Sequence, residues 1–86
     1  MSTHPVNKYS KLIPIELIYS EKLSNESNED FEIRVKAMME YISNGGCVEP
    51  LEVYKQGNYY IVGDGRHRYE AMKRLGWKEI YCRGFF

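Results

Sequence analysis

A six-residue segment concentrates the charged chemistry of this 86-residue chain. It follows an apolar run at residues 59–62, precedes a helical pattern that ends at Gly76, and reads Gly63, Asp64, Gly65, Arg66, His67, Arg68. That order predicts a strand, a glycine turn and the start of a helix. The first backbone N–H groups of a helix are unpaired and lie at the positive end of its dipole, so they attract anions. A planar guanidinium can hold phosphate oxygens there, and the segment is therefore predicted to bind a phosphate group.

The charges of this segment oppose the pattern of an ordinary helix start. Acidic residues are favoured in the first turn because the dipole attracts them, whereas this chain has Arg66, His67 and Arg68 there. Three cationic or potentially cationic groups would repel the dipole and one another unless an anion is present, and such a local conflict is typical of a functional site. We also expect Arg68 to be exposed, so that its replacement by Ala would abolish ligand binding and leave the fold intact.

Each residue of the segment also has an ordinary structural interpretation. Gly63 and Gly65 can allow the backbone to approach a ligand closely, or they can simply close a tight turn. Asp64 can hold Mg²⁺ beside a polyphosphate, or it can bond its own backbone. His67 can donate to a phosphate or serve the fold alone. The phosphate interpretation is favoured because acids, not cations, are expected at an ordinary helix start.

Hydrophobic periodicity and turn signals predict the elements that position this segment. A helix near residues 29–43 follows a sequence similar to a capping box, and a second helix at 66–75 ends at Gly76. The predicted strands are 12–18, 51–54, 59–62 and 80–82, with a turn at 56–58 and a polar acidic loop at 20–30. Pro14 fits an edge strand or a strand start, not a central position. The fold class is therefore α+β, a small mixed sheet with two main helices. One domain is predicted at 10–86, after a flexible N-terminus at 1–9.

Composition limits the partners and the compartment that we expect. The formal net charge is zero, so no overall field attracts nucleic acid. The charge is segregated, because residues 16–52 hold nine acids and three bases whereas residues 61–86 hold six bases and three acids. Cys47 and Cys82 form no metal-binding or redox motif. Because no signal peptide or long apolar run is visible, we expect free thiols in a cytoplasmic protein that does not contact a membrane.

Three short motifs resemble those of the ParB/sulfiredoxin superfamily, in particular its ParB N-terminal-like domains. They are the Asp-Gly-Arg-His-Arg-Tyr-Glu-Ala run at residues 64–71 with Leu-Gly at 75–76, the Gly-Cys-Val-Glu-Pro-Leu box at 46–51, and the opening strand at 12–18. The resemblance covers roughly residues 10–84. It implies a ParB/sulfiredoxin-like fold that binds nucleotide phosphates at residues 63–68. It also implies that Gly46, Glu49 and Pro50 belong to the nucleotide site. Because a carboxylate repels phosphate, Glu49 either helps to hold a cation or points away from the phosphates.

The branches of this superfamily differ at the residue after Gly65. Sulfiredoxins have their catalytic Cys where this chain has Arg66, so thiol-based repair of peroxiredoxin is not expected here. Partitioning ParB proteins have Gly-Glu-Arg-Arg and bind CTP, whereas free serine kinases have Asp-Gly-His-His-Arg, which is more similar to this chain. The kinase-like pattern implies a metal or acid–base role for Asp64. It also implies a general base between the first strand and the first helix, an interval that contains our candidate Glu21 and also Glu26.

Three functions are expected from these observations. The first, which is favoured, is a stand-alone domain that binds CTP, ATP, ADP or another phosphate ligand, with Mg²⁺ as a candidate cofactor and nucleotide hydrolysis or phosphate transfer as candidate activities. The second is a ParB-like nuclease or DNA-contacting module. The third is a small phage or plasmid interaction protein that binds a protein partner or forms a homodimer. Because no helix-turn-helix region follows, autonomous sequence-specific DNA binding is not expected.

Overall fold

The fold consists of five β-strands and two α-helices. The computed structural model describes residues 10–21 and 25–84; the predicted flexible N-terminus at 1–9 lies outside them. The elements are β1 Ser10–Pro14, a 3₁₀ turn Ile15–Leu17, β2 Ile18–Tyr19, α1 Asn28–Ser43, β3 Leu51–Gln56, β4 Tyr59–Asp64, α2 Arg66–Arg74 and β5 Glu79–Arg83. The strands form a mixed sheet in the order β1-β5-β3-β4-β2. The predicted α+β class with a small mixed sheet and two main helices is confirmed.

The segment predicted as one strand at residues 12–18 forms two strands on opposite edges of the sheet. β1 pairs antiparallel with β5, and β2 pairs parallel with β4. The break follows from Pro14, which has φ −56° and no backbone N–H to donate to a ladder. The next N–H, that of Ile15, bonds the Lys78 carbonyl oxygen at 2.9 Å instead. The single-strand prediction is wrong, whereas the expectation that Pro14 suits a sheet edge is confirmed.

The short path between β1 and β2 forces the sheet to curl. Four strand spacings of about 4.8 Å would separate the edges of a flat five-stranded sheet by roughly 19 Å. Pro14 and Ile18 are four positions apart and can span at most about 14 Å. The two edge strands must therefore approach each other, and Ile13 of β1 and Ile18 of β2 accordingly belong to one buried cluster.

Alternate residues of the strands and one face of α2 form this cluster. Its members are Ile13, Ile18, Leu51, Val53, Tyr60, Val62, Tyr69, Met72, Ile80 and Cys82. Tyr69 and Met72 come from α2, as its helical spacing predicts, and the Tyr69 hydroxyl donates to the Ile18 carbonyl oxygen at 3.0 Å. From α1, Val35 is fully buried. α2 is thus anchored to the sheet by packing and by one buried hydrogen bond.

The predicted hairpin and helix ends appear with small changes in length. β3 and β4 pair antiparallel around a two-residue loop in which Gly57 has φ +63°. α1 starts where expected, since the Ser27 hydroxyl accepts the Asp30 N–H at 3.1 Å. Gly76 follows α2 with φ +86°. Within residues 10–21 and 25–84, no helix is long and apolar enough to cross a membrane.

Replacing Met72 by Ala should lower the free energy of unfolding by about 2–5 kcal/mol, because the side chain is fully buried and its removal leaves a cavity in the cluster. Urea denaturation followed by circular dichroism measures the change. Lys36→Ala, on the exposed side of α1, is the control and should alter stability by less than about 0.5 kcal/mol. A loss at Met72 no larger than at Lys36 would contradict this account of the core.

Candidate functional site

The candidate site forms where β4 meets α2. β4 continues through Gly63 and Asp64, two residues farther than predicted, so Gly65 alone makes the turn. Gly65 has φ +109°, in the left-handed region. A Cβ at this position would lie 2.7 Å from Cδ2 of Leu51 and 2.9 Å from a terminal nitrogen of Arg68. Both the backbone conformation and the available space therefore require glycine at position 65.

The N-terminus of α2 has no capping side chain. Gly65 is the N-cap residue, and the first turn contains no acid. α1 is the opposite case, since Ser27 caps it and Glu29 and Asp30 lie in its first turn. The first N–H groups of any helix lack partners within the helix. Those of residues 66–68 therefore face outward without an acceptor from the N-cap, at the positive end of the α2 dipole.

The Arg68 side chain is largely buried and is hydrogen-bonded within the protein. Its guanidinium donates to the carbonyl oxygens of Glu49 at 3.1 Å and Pro50 at 3.4 Å. It also lies 3.5 Å from a carboxylate oxygen of Asp64 and 3.9 Å from one of Glu49. Only 17% of the Arg68 side chain is exposed. The prediction of an exposed Arg68 is wrong, because the guanidinium pairs carbonyl groups that lead into β3. It thereby brings the predicted residues Glu49, Pro50 and Asp64 together.

His67 and Arg66 also have partners within the chain. Nε2 of His67 lies 3.0 and 3.1 Å from the two carboxylate oxygens of Glu26, so this nitrogen carries the proton and donates. The Phe31 ring packs against the imidazole at a centroid distance of 5.3 Å. Nε of Arg66 donates to the Glu21 carbonyl oxygen at 3.0 Å. The charge conflict predicted at this helix start is thus resolved by the chain itself, and the argument that it requires an external anion is wrong.

Arg34 of α1 joins this site, although the sequence analysis did not select it. Its Nε lies 3.6 Å from the Glu26 carboxylate, and 67% of its side chain is exposed. A cavity of about 320 Å³ lies here; it is lined by Asn25, Glu26, Asp30, Arg34 and His67, and we call it the His67 cavity. Arg34 stands on the polar side of α1, where a cation is ordinary. No sequence signal connects it with His67, because only the packing of α1 beside α2 makes them neighbours.

Three other predicted residues have different surroundings from those expected. Glu21 approaches the turn through its carbonyl oxygen, as described for Arg66. Gly46 donates its N–H to the Tyr41 carbonyl oxygen at 2.9 Å, and a Cβ on it would strike the Tyr41 ring. Close packing against Tyr41 of α1 therefore explains why position 46 is a glycine. Gly63 lies in β4, where a Cβ would make only ordinary contacts.

Asp64 could offer a metal ion one carboxylate. Its side chain is 75% exposed. No group of three or more His, Cys, Asp or Glu side chains that could hold a metal occurs in the part of the chain that the structure describes. Mg²⁺ is commonly held by one or two carboxylates together with phosphate oxygens and water. Asp64 fits that use only beside a bound polyphosphate, and its metal role stays a prediction.

The two thiols differ in exposure. Cys47 is exposed and Cys82 is buried. Burial raises the pKa of Cys82 from its ordinary value of 9.0 to about 12, so this thiol stays protonated and unreactive near neutral pH. The residue at the start of α2 is Arg66. The geometry therefore offers no thiolate chemistry at this helix start.

The chain belongs to the ParB N-terminal domain family, whose model matches residues 2–83. It is also similar to the chloroplastic/mitochondrial sulfiredoxin of Arabidopsis thaliana, with 32% identity over 71 residues. That match covers 83% of this chain and 55% of the relative, so the chain spans about half of its length. The crystal structure of Arabidopsis sulfiredoxin superposes with a TM-score of 0.68 at 31% identity, covering 86% of this chain and 81% of the other.

Two further solved structures share the fold at lower identity. A mutant free serine kinase in complex with ADP has a TM-score of 0.70 and 20% identity, over 94% of this chain and 33% of the kinase. The C-terminally truncated chromosome-partitioning protein ParB of Caulobacter crescentus, complexed with CTP-gamma-S, has a TM-score of 0.58 and 23% identity, over 85% and 42% of the two chains. The predicted membership of the ParB/sulfiredoxin superfamily is confirmed.

Replacing Arg68 by Ala should lower the free energy of unfolding without ligand by about 1–3 kcal/mol, because two carbonyl oxygens lose a charged donor. Thermal and urea denaturation measure the loss. Arg66→Ala is the matched control in the same turn; it removes one exposed hydrogen bond and should cost about 0.5 kcal/mol or less. Equal stability of the two variants would show that the guanidinium is not a structural link.

Alkaline pH should destabilise the fold through Cys82. The unfolded thiol ionises near pH 9, whereas the folded thiol keeps its proton until about pH 12. Its contribution is therefore unchanged below pH 9 and is lost as pH rises from about 9 to 12, by at most about 1.4 kcal/mol per pH unit. Urea midpoints across this range test the slope. Cys82→Ala should flatten it and Cys47→Ala should not; the same slope in both variants would refute the assignment.

Proposed function

We propose that this chain binds a nucleotide, with CTP, ATP and ADP as the candidates, through its phosphates at the N-terminus of α2. The observation that carries the proposal is an uncapped helix start after the left-handed Gly65, with no acid in its first turn. Unpaired N–H groups and the helix dipole both favour a phosphate at such a position. The fold supports the proposal, because solved structures with this fold hold ADP or a CTP analogue.

The proposed side-chain contacts are His67, Arg66 and Arg34 rather than Arg68. His67 and Arg34 flank the His67 cavity, and Arg66 lies in the first turn of α2 with one carbonyl partner. Arg68 already serves four oxygen atoms of the protein. Its proposed role is to hold Glu49 and Pro50 beside the helix start and to add positive charge.

Glu26 makes this site dependent on a cation. Its carboxylate pairs with both His67 and Arg34, so a phosphate that approaches these cations also approaches a negative charge. Two like charges at 4 Å repel by about 4 kcal/mol at an effective dielectric constant of 20. Mg²⁺ on the phosphate oxygens, with Asp64 or Glu26 as its protein ligand, would offset this repulsion. We therefore propose that the nucleotide binds as its Mg²⁺ complex.

Phosphate transfer or hydrolysis at this site would need a general base. Glu26 and Glu21 are the two candidates before α1. The carboxylate of Glu26 contacts His67 in the first turn of α2, whereas Glu21 contacts that turn through its carbonyl oxygen. These contacts support Glu26 ahead of Glu21 as the base.

Isothermal titration calorimetry with CTP, ATP, ADP and GTP, each with and without Mg²⁺, tests the proposal. We expect binding of at least one nucleotide, and tighter binding with Mg²⁺. Arg34→Ala and His67→Ala should each weaken it roughly tenfold, because each removes a charge-assisted contact of about 1.5 kcal/mol. Glu26→Gln should reduce the dependence on Mg²⁺, since it removes the repelling charge.

Lys78→Ala is the control for these variants. Lys78 lines a different surface, together with Ile15 and Trp77, and its removal should leave the affinity unchanged. Absence of heat with every nucleotide at millimolar concentration would reject the proposal. An equal loss of affinity in the control would assign the effect to net charge rather than to the site.

A further inference from the structure

A second cavity, of about 520 Å³, lies between the two helices. Its lining comes from the end of β2, the first turns of α1 and the middle of α2; the residues are Tyr19, Ser20, Glu21, Asn28, Phe31, Glu32, Tyr69, Glu70, Lys73 and Arg74. We call it the helix cleft. None of these residues belongs to the 63–68 segment or lines the His67 cavity. The helix cleft has a different lining from the nucleotide site proposed above but adjoins it, because Glu21 contacts Arg66 and Phe31 packs against His67. Its volume is that of a small-molecule site.

The floor of the helix cleft is aromatic, and the hydroxyl of its buried tyrosine is already hydrogen-bonded. The Tyr69 hydroxyl donates its hydrogen bond to the Ile18 carbonyl oxygen. The part of Tyr69 that lines the cleft is therefore its apolar ring. The Tyr19 ring is 50% exposed and is held edge-to-face against Tyr59 at 5.0 Å. Phe31 completes the floor. Such a surface favours a flat apolar group, because aromatic rings stack on one another.

Three of the five charged residues in the lining neutralise one another in part and are fixed in place. Arg74 donates to the Glu32 carboxylate at 2.6 Å and to the Glu70 carboxylate at 2.9 Å. These bonds raise the pKa of Arg74, and the hydrogen bond from Arg74 lowers the pKa of Glu32. The trio joins α1 to α2 and forms one wall of the helix cleft. The trio keeps a net charge of −1. It leaves Lys73 as the cation that an anionic ligand can meet, and Glu21 as a further carboxylate.

Lys73 is the cation of the lining that has no carboxylate partner among the described residues. Its Nζ lies 5.9 Å from the centroid of the Tyr69 ring, over the floor. An anionic group on a flat ligand would meet this ammonium group while the rest of the ligand covers the rings. Glu21, on the β2 side, would repel the same anion and so orient the ligand with its charge toward α2.

We propose that the helix cleft binds a small aromatic carboxylate, with its ring on Tyr19, Phe31 and Tyr69 and its carboxylate on Lys73. The ligand is distinct from a nucleotide and occupies the cavity that adjoins the nucleotide site. The charge of Lys73 and its place over the aromatic floor determine the class, because a neutral ring would gain only the stacking and a dicarboxylate would meet Glu21.

Nuclear magnetic resonance titration of the ¹⁵N-labelled full chain tests the proposal with two matched probes, phenylacetate and its neutral amide phenylacetamide. We expect phenylacetate to shift the backbone resonances of residues that line the helix cleft. The amide should bind roughly tenfold more weakly, because it lacks the charge-assisted contact. Lys73→Gln should remove this difference, whereas Lys78→Gln, a lysine outside the helix cleft, should retain it.

Equal affinity of the acid and the amide for the wild-type chain would overturn the proposal, as would shifts confined to other surfaces or none at millimolar concentration. The comparison of phenylacetate with phenylacetamide on the wild-type chain still tests the proposal if the Lys73→Gln variant fails to fold. Nucleotide binding is measured separately by isothermal titration calorimetry, because residues of the helix cleft contact Arg66 and His67. Lys73→Gln should leave it intact, so failure at the helix cleft and failure at the α2 N-terminus are distinguishable.

Discussion

The guanidinium of Arg68 is the contact on which the geometry of the site depends. It joins the first turn of α2 to the Glu49 and Pro50 carbonyl oxygens, and so fixes where β3 begins relative to the helix. Gly65 fits beneath it because a Cβ there would approach the same guanidinium. A guanidinium offers five donors in one rigid plane, whereas the ammonium group of a lysine offers three donors at a single point. The turn is therefore held by one largely buried cation, with 17% of its side chain exposed, and by one obligatory glycine.

This use of Arg68 changes how the site can bind an anion. A guanidinium that is already paired with protein oxygens is a poor mobile clamp, so in the nucleotide site that we propose the phosphate contacts are the backbone N–H groups of α2 together with Arg66, His67 and Arg34. Glu26 holds the last two of these. The carboxylate reduces the mutual repulsion of the two cations, and in the proposed site it would repel a phosphate that has no compensating cation.

The packing of α1 beside α2 produces both cavities. Arg74 links Glu32 of α1 to Glu70 of α2, and the Phe31 ring touches His67. On one side of this contact lies the polar His67 cavity, and on the other the aromatic helix cleft. Two helices on one curled sheet thus create two surfaces of opposite chemical character within 86 residues.

Local patterns in the sequence determined the α1 cap, the β3–β4 hairpin, the start of α2 and the family, because each depends on residues a few positions apart. Pro14 indicated an edge strand. That the residues before it pair with β5 and those after it with β4 depends on the arrangement of the whole sheet. Only the tertiary structure decided that the Arg68 side chain is largely buried and that the Glu26 carboxylate pairs with both His67 and Arg34. Those contacts link residues distant in sequence. Their formation depends on how α1, β3 and α2 pack, which no local periodicity specifies.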